Sequence, residues 1–275
     1  MTKREIRKII PTFVSKPTYH TGMFKNAIVR KPCQTLVRGL TSASLGLPDF
    51  QKALEQHSQY VDALRSCGLN VKVLEADSRF PDSVFVEDVA LCTPDCAIVT
   101  NPGAPSRNGE KIEIKPVLED FYKQVDSIEP PGTLDAGDVM MVGKHFYIGI
   151  SQRTNTRGAE QLIAILEKYG MTGSMVPLKE MLHLKSGLSY LEKNHLLISG
   201  EFMNHPALAD FQKIEVDPDE AYAANSLWLN STVLVPAGFP RTLAKIKQAG
   251  YQTLTLDVSE FRKLDGGLSC LSLRF

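Results

Sequence analysis

The chain has no excess of charge of either sign. Its 31 Lys and Arg residues balance 31 Asp and Glu among 275 residues. Bulk electrostatics therefore recruit neither nucleic acid nor an anionic membrane surface, and a small-molecule ligand is the better fit. Also missing are an apolar run of the roughly 18 residues needed to cross a bilayer and any stretch resembling a signal peptide. Cysteine is sparse and odd in number, at positions 33, 67, 92, 96 and 270, which argues against a disulfide framework and makes the reducing cytoplasm the expected compartment. Cys92 and Cys96 form a CxxxC pair, but no second Cys or His pair stands nearby at ligand spacing, so no metal site is expected. No GxGxxG or GxxxxGK[ST] loop opens a helical stretch, which leaves nucleotide binding without support, and no cofactor is expected.

Hydrophobic residues make up 43% of the chain, enough to bury one large core. Residues 1–22, with the basic cluster Lys3, Arg4, Arg7 and Lys8 followed by Pro11 and Pro17, are expected to form a poorly ordered N-terminal extension. Residues 23–275 are expected to form a single catalytic domain. Within it one pattern recurs five times: a hairpin of two apolar runs, a helical stretch, then a short apolar strand. The hairpins fall at 84–100, 133–149, 183–199 and 224–236, and a fifth joins 264–275 to 24–30. Helices are expected at about 48–66, 109–122, 154–169 and 241–249, with a weaker one near 206–211. In the first, Phe50, Leu54, His57, Val61 and Leu64 recur at three- and four-residue steps, and Gly68 stops it. Five ββαβ units of similar length predict a pseudo-fivefold α/β propeller, the last blade completed by both chain ends, with the loops at one end converging on the axis. An open α/β sheet is disfavoured by the repeated hairpins.

Those convergent loops carry the reactive groups. Cys270 sits behind Gly266-Gly267 among Leu268, Leu271 and Leu273, which predicts a buried final strand bearing either a reactive thiol or a small apolar filler. PDSVFVEDVAL places Asp82, Glu87 and Asp88 beside Phe80, Val84 and Phe85, a set of carboxylates costly to bury without a cation. GTLDAGDVMM sets Asp135 and Asp138 either side of Ala136-Gly137, with a solvated turn as the alternative for Asp138. LHLKSGLSYL has His183 opening a strand, in either a structural or a catalytic role. A cysteine, a histidine and several carboxylates from separate blades suit a cationic, carbonyl-like carbon.

The segments FPDSVFVED, PGTLDAGDVMMVG, LHLKSGLSYLE, YAANSLWLN, PAGFPRT and KLDGGLSCLSLRF, spanning about 23–275, resemble the dimethylarginine dimethylaminohydrolase family. This family belongs to the guanidino-group-modifying superfamily, which also contains arginine deiminases and amidinotransferases. The resemblance implies a five-bladed α/β propeller that hydrolyses Nω-methylated arginines to citrulline and dimethylamine or methylamine. It implies Cys270 as nucleophile, His183 as acid and then base, and Asp88 with Glu87 or Asp135 as guanidinium ligands. Asp135 orients His183 or touches the guanidinium. Arg107 and Arg153 would bind the substrate carboxylate, while Asp82 and the backbone carbonyls of Leu40 and Leu264 would serve the α-amino and guanidinium groups. Ser269 completes the implied binding set. A homodimer is the assembly considered. Bacterial members most like this chain often carry glutamate where Asp135 stands, and the shorter side chain sets the carboxylate back by roughly 1.5 Å. The alternatives are an arginine deiminase, usually longer through an inserted helical segment for which this chain has no room, and a catalytically silent guanidine-binding protein.

Overall fold

The computed structural model describes residues 23–275; the extension expected at 1–22 lies outside the described residues. Its framework is five three-stranded sheets built to one plan. In the first, β1 (Asn26–Arg30) is the middle strand, parallel to β2 (Asn70–Leu74) and antiparallel to β15 (Leu273–Arg274), so both chain ends complete this blade. The second blade is β3 (Ala90–Cys92), β4 (Ala97–Val99) and β5 (Val125–Ser127). The third is β6 (Val139–Val142), β7 (His145–Ile150) and β8 (Thr172–Pro177). The fourth is β9 (Leu188–Tyr190), β10 (His195–Ile198) and β11 (Gln212–Glu215), and the fifth β12 (Leu227–Leu229), β13 (Thr232–Pro236) and β14 (Gln252–Leu256). Every middle strand pairs antiparallel with its hairpin partner and parallel with the strand that follows the crossover.

Strand alternation is what turns five separate sheets into a ring. Successive side chains of a strand point to opposite faces, and each middle strand feeds two hydrophobic clusters, one shared with each neighbouring blade. In β1, Ile28 packs with Val89 and Val99 of the second blade, whereas Ala27 and Val29 pack with Leu227 and Leu234 of the fifth. In β10, Leu196 and Ile198 join the third blade, and Leu197 joins Val233 and Val235 of the fifth. A cluster containing Ile98, Phe146 and Ile148 links the second and third blades. The sheets themselves stay open; the ring closes through side-chain packing between blades, in a pentein-type α/β propeller.

The crossovers are α1 (Phe50–Ser66), α2 (Glu110–Glu119) and α3 (Thr156–Lys168), and in the fifth blade Pro240–Gln248. The weak helix expected near 206–211 is only a 3-10 turn at Pro206–Leu208, so the fourth blade makes its parallel connection almost without a helix. α1 starts on an Asp49 cap that accepts the Lys52 N–H and ends where Gly68 turns at φ +88°, a left-handed conformation that glycine adopts without steric cost. Its inward face is Ala53, Gln56, His57, Tyr60, Val61 and Leu64, turned from the expected stripe because Phe50 and Leu54 are only half-buried. Tyr60 can sit at the centre because its hydroxyl donates to the Leu268 carbonyl at 2.8 Å and meets Ser272 Oγ at 2.7 Å. It thereby ties α1 to the C-terminal loop.

His57 is buried, and its Nε2 has no hydrogen-bond partner among the described residues. Burial lowers its pKa from 6.5 to about 4, with the nearby Lys31 charge adding to the effect. The unfolded chain therefore binds a proton between about pH 6.5 and 4 that the folded chain refuses. Stability present above pH 6.5 should fall by about 3 kcal/mol as the pH drops through this window. Urea unfolding of the parent and His57→Gln between neutral pH and pH 4 checks this. The pH dependence should flatten in the variant, and parallel curves would contradict it.

Candidate active site

The first strands of the blades, β3, β6, β9, β12 and β15, line the propeller axis, and neighbours among them approach one another. Each is preceded by a short helical turn: Val86–Val89, Ala136–Asp138, Leu184–Gly187, Pro218–Ala224 and Ser269–Leu271. The reactive residues stand on or beside these turns, which corrects two sequence expectations. Cys270 lies in the turn ahead of β15 rather than in the final strand, and His183 caps a helical turn rather than opening β9. Short helical turns cannot be told from strand ends by apolar spacing, because they are too brief to show a period.

A half-open cavity of about 40 Å³ is lined by Cys270, His183, Asp135, Asp88, Asp82, Arg107 and Arg153, with Leu40, Phe85, Leu182 and Leu264 supplying apolar wall. A larger cavity of about 130 Å³ lies along the axis and is lined by other residues, including Glu87, Ser269, Lys185 and Arg274. The smaller one is the candidate active site because the thiol and the imidazole both face it.

His183 Nε2 lies 3.1 Å from Asp135 Oδ2, while Asp135 Oδ1 accepts the Gly103 N–H at 2.8 Å. Burial works against protonating His183, but Asp88, the hydrogen-bonded Asp135 and Asp138 outweigh it and raise its pKa to about 9. Burial likewise opposes ionisation of Asp135, yet His183 and Arg107 hold its carboxyl below the usual range. Of the two roles left open for Asp135, this geometry favours orienting the histidine. Burial, together with the charges of Glu87 and Asp88, pushes the Cys270 thiol up to about 12; the Gly267 N–H, donating to Sγ at 3.4 Å, and Lys185 only partly oppose this. A thiol in that field is neutral at physiological pH.

Arg107 lines the cavity, and its guanidinium is also engaged from within the protein. Its guanidinium donates to Asp88 at 2.5 Å, to both Glu110 oxygens at 3.0 and 2.8 Å, and to the Asp82 and Phe85 carbonyls. Asp88 Oδ1 also accepts the Gly137 N–H at 3.2 Å. Asp82 accepts the Leu40 N–H at 2.9 Å, and burial raises its pKa although Arg107 and Arg153 pull the other way. Glu87 and Ser269 do not line this cavity. Glu87 Oε1 is shared by Arg274 at 2.6 Å and Lys185 at 2.7 Å, all three lining the larger cavity, and Ser269 is clasped at N and Oγ by the Asn225 amide. Ligand atoms of Asp88, Asp135 and His183 lie within 4.8 Å of one another, a grouping able to hold a cation. Here Arg107 and His183 themselves supply the positive charge, and these residues are not read as metal ligands.

Sequence reasoning missed Glu110, Lys185, Asn225 and Arg274. The repeat itself carried a signal for Asn225, which stands just before β12 where Asp88, Asp135 and Cys270 precede the axial strands of their own blades.

The family model described as N,N dimethylarginine dimethylhydrolase, eukaryotic, matches residues 49–206. The N(G),N(G)-dimethylarginine dimethylaminohydrolase of Pseudomonas aeruginosa is 56% identical over 92% of this chain and 100% of its own. The structure of that bacterium's enzyme, as a cysteine-to-serine mutant complexed with citrulline, superposes with a TM-score of 0.92 over 92% of this chain and 100% of that one. A histidine-to-glycine variant of dimethylarginine dimethylaminohydrolase, bound as an adduct with S-methyl-L-thiocitrulline, gives 0.91 at 56% identity and the same coverage.

Gly137 shows how tight the site is. A Cβ there would stand 2.7 Å from Asp88 Oδ1 and 3.0 Å from His183 Nδ1. Gly137→Ala should therefore displace the imidazole or Asp88 and lower kcat by at least about tenfold, as small misplacements of reacting groups do. Steady-state kinetics on the folded variant check this, and an unchanged kcat would contradict it. The fold, the site and these similarities agree: the chain belongs to the dimethylarginine dimethylaminohydrolase family.

Proposed function

We propose that the chain hydrolyses Nω-methylated arginines, asymmetric dimethylarginine and monomethylarginine, to citrulline with release of dimethylamine or methylamine. The observation that carries the reading is one cavity that unites the Cys270 thiol, an imidazole braced by Asp135, and the carboxylates of Asp82 and Asp88. It is a hydrolase acting on the C–N bonds of linear amidines. The similar P. aeruginosa enzyme was captured with citrulline and a related enzyme with a thiocitrulline adduct, states that fit a product and a covalent intermediate of this reaction.

The substrate guanidinium enters as a cation. Asp88 receives it by sharing or exchanging the Arg107 contact, and the paired hydrogen bonds fix its orientation. Arrival of positive charge offsets the fields of Glu87 and Asp88, so the Cys270 thiol gives its proton to solvent, His183 being already protonated, and the thiolate attacks the guanidinium carbon. His183, protonated at neutral pH because its pKa is about 9, gives its proton to the departing amine as the C–N bond breaks. The neutral imidazole then takes a proton from water, whose oxygen attacks the S-alkylthiouronium carbon; the C–S bond breaks, leaving citrulline and regenerated Cys270. Arg153 and Arg107 on one wall, and Asp82 with the Leu40 and Leu264 backbone, receive the amino-acid end of the substrate. Glu87, set behind Cys270, acts through charge, and Ser269 holds the nucleophile's turn. The reading places the enzyme in the cytoplasm and has it work as a homodimer.

Cys270→Ser should retain the fold and drop citrulline formation below about one hundredth of the parent rate, since nucleophile losses reach several orders of magnitude. His183→Ala should stall turnover with adduct either accumulating or never forming, read by intact-mass spectrometry. Normal product formation by either variant would remove that residue's role.

Phe85, Leu182 and Leu264 provide the apolar wall a methylated nitrogen needs, because a buried carboxylate facing a methylated nitrogen loses a hydrogen bond at about 1–3 kcal/mol. Mono- and asymmetric dimethylarginine should show higher kcat/KM than arginine, and symmetric dimethylarginine should be poor. Equal or better use of arginine would favour the deiminase alternative.

A further inference from the structure

Asp138 is completely buried, yet it is not among the residues lining either of these two cavities and has no Lys or Arg partner among the described residues. A carboxylate in that position is costly unless its oxygens are fully occupied by donors. Asp138 Oδ1 accepts the backbone N–H of Leu184, the residue next to His183, at 2.9 Å. Asp138 Oδ2 accepts the Thr154 hydroxyl at 2.6 Å and the Ser151 hydroxyl at 2.7 Å. Those hydroxyls pass the restraint on. Thr154 Oγ1 accepts the backbone N–H of Asp135 at 3.1 Å, and Ser151 Oγ accepts the N–H groups of Arg153 at 3.0 Å and Thr154 at 3.1 Å. The space beside Asp138 is equally constrained: a Cβ on Gly149 would meet Asp138 Oδ1 at 2.9 Å and Leu184 Cβ at 3.0 Å.

We propose that Asp138 is a positioning residue for the reaction, a single carboxylate that sets the backbone of the His183 turn, the Asp135 turn and the Arg153 loop relative to one another. The imidazole and its carboxylate partner come from different blades, so their 3.1 Å contact depends on a link between those blades that does not itself face the substrate. Asp138 is that link, reaching from the turn before β6 both to the β7–α3 loop of its own blade and to the turn before β9 of the next. Its charge also acts directly on the imidazole. Burial pushes the Asp138 carboxyl up, opposed by the His183 charge and the three donors, while Asp138, with Asp88 and Asp135, favours the protonated histidine. A purely structural carboxylate would have no reason to hold three functional segments at once. The proposal rests on the acid–base role assigned above to His183.

The test uses the full chain with asymmetric dimethylarginine, comparing Asp138→Asn, Thr154→Val and the parent in kcat, KM, the pH profile of kcat and the urea midpoint. Asp138→Asn keeps an acceptor for Leu184 but removes the charge; it should lower kcat by about 10- to 100-fold, a share of the 10²–10⁴ that acid–base catalysis contributes, with KM changed by less than about threefold. The limb of the profile belonging to His183 should move to lower pH. Thr154→Val cuts only the branch to Asp135 and should give a smaller kcat loss with little movement of that limb, whereas Thr154→Ser, which retains the hydroxyl, should restore the parent rate. Added to His183→Ala, the Asp138→Asn change should cost nothing further. Parent-like kcat and pH profile in Asp138→Asn, a loss confined to KM or stability, or a full additional loss in the double variant would each overturn the proposal. If His183→Ala alone keeps normal turnover, the reading of His183 fails, and that outcome is separate from the Asp138 single-variant result.

Discussion

Negative charge buried at the propeller axis is the constraint on which the rest of the molecule turns. Asp82, Glu87, Asp88, Glu110, Asp135 and Asp138 are all buried around it, and each must be compensated or the fold would pay several kcal/mol for it. Compensation is divided among elements far apart in sequence. Arg107 from the second blade holds Asp88 and Glu110, Arg274 at the chain end and Lys185 from the fourth blade share Glu87, and His183 holds Asp135. Asp138 relies on hydroxyl and amide donors. The same charge that demands these partners keeps Cys270 protonated and His183 charged, and it leaves a site selective for a cation.

The resting site is therefore set in the opposite sense to a preformed thiolate–imidazolium pair. In the proposed reaction the histidine is ready as an acid, and the thiol waits for the charge that the substrate brings. An enzyme arranged this way exposes little reactive thiolate when empty, which protects the cysteine from competing electrophiles. The glycines and short turns ahead of the axial strands make the crowding possible: at Gly137 there is room for backbone but not for one additional carbon between Asp88 and His183.

Much of this was legible in the sequence. The fivefold recurrence of hairpin, crossover and strand gave the blades, and the completion of one sheet by Asn26–Arg30 and Leu273–Arg274 followed from the apolar runs at both ends. Asp82, Glu87 and Asp88 stood out because carboxylates among apolar neighbours are costly to bury, while Cys270, His183 and Asp135 took their roles from the family resemblance. What did not show was anything set by pairing across blades. Tyr60 belongs to the core only because Leu268 and Ser272 complete its hydroxyl, a contact more than 200 positions away. Arg107 stood out as a substrate ligand, but no local pattern announced that Glu110, Asp88 and two carbonyls also engage its guanidinium. Asp138 read equally well as a solvated turn, since no local pattern announces that its oxygens reach Leu184, Ser151 and Thr154.

The claim at the centre of this account is that the nucleophile ionises in response to bound positive charge. The direct measurement is the ultraviolet thiolate absorbance of Cys270, taken as the difference between the parent and Cys270→Ser, with and without a non-reactive arginine-like cation in the site. At neutral pH the free enzyme should show no thiolate, and saturation with the cation should make the signal appear as its titration moves down from about 12. A thiolate already present in the free enzyme at neutral pH, or a titration indifferent to the cation, would contradict the account.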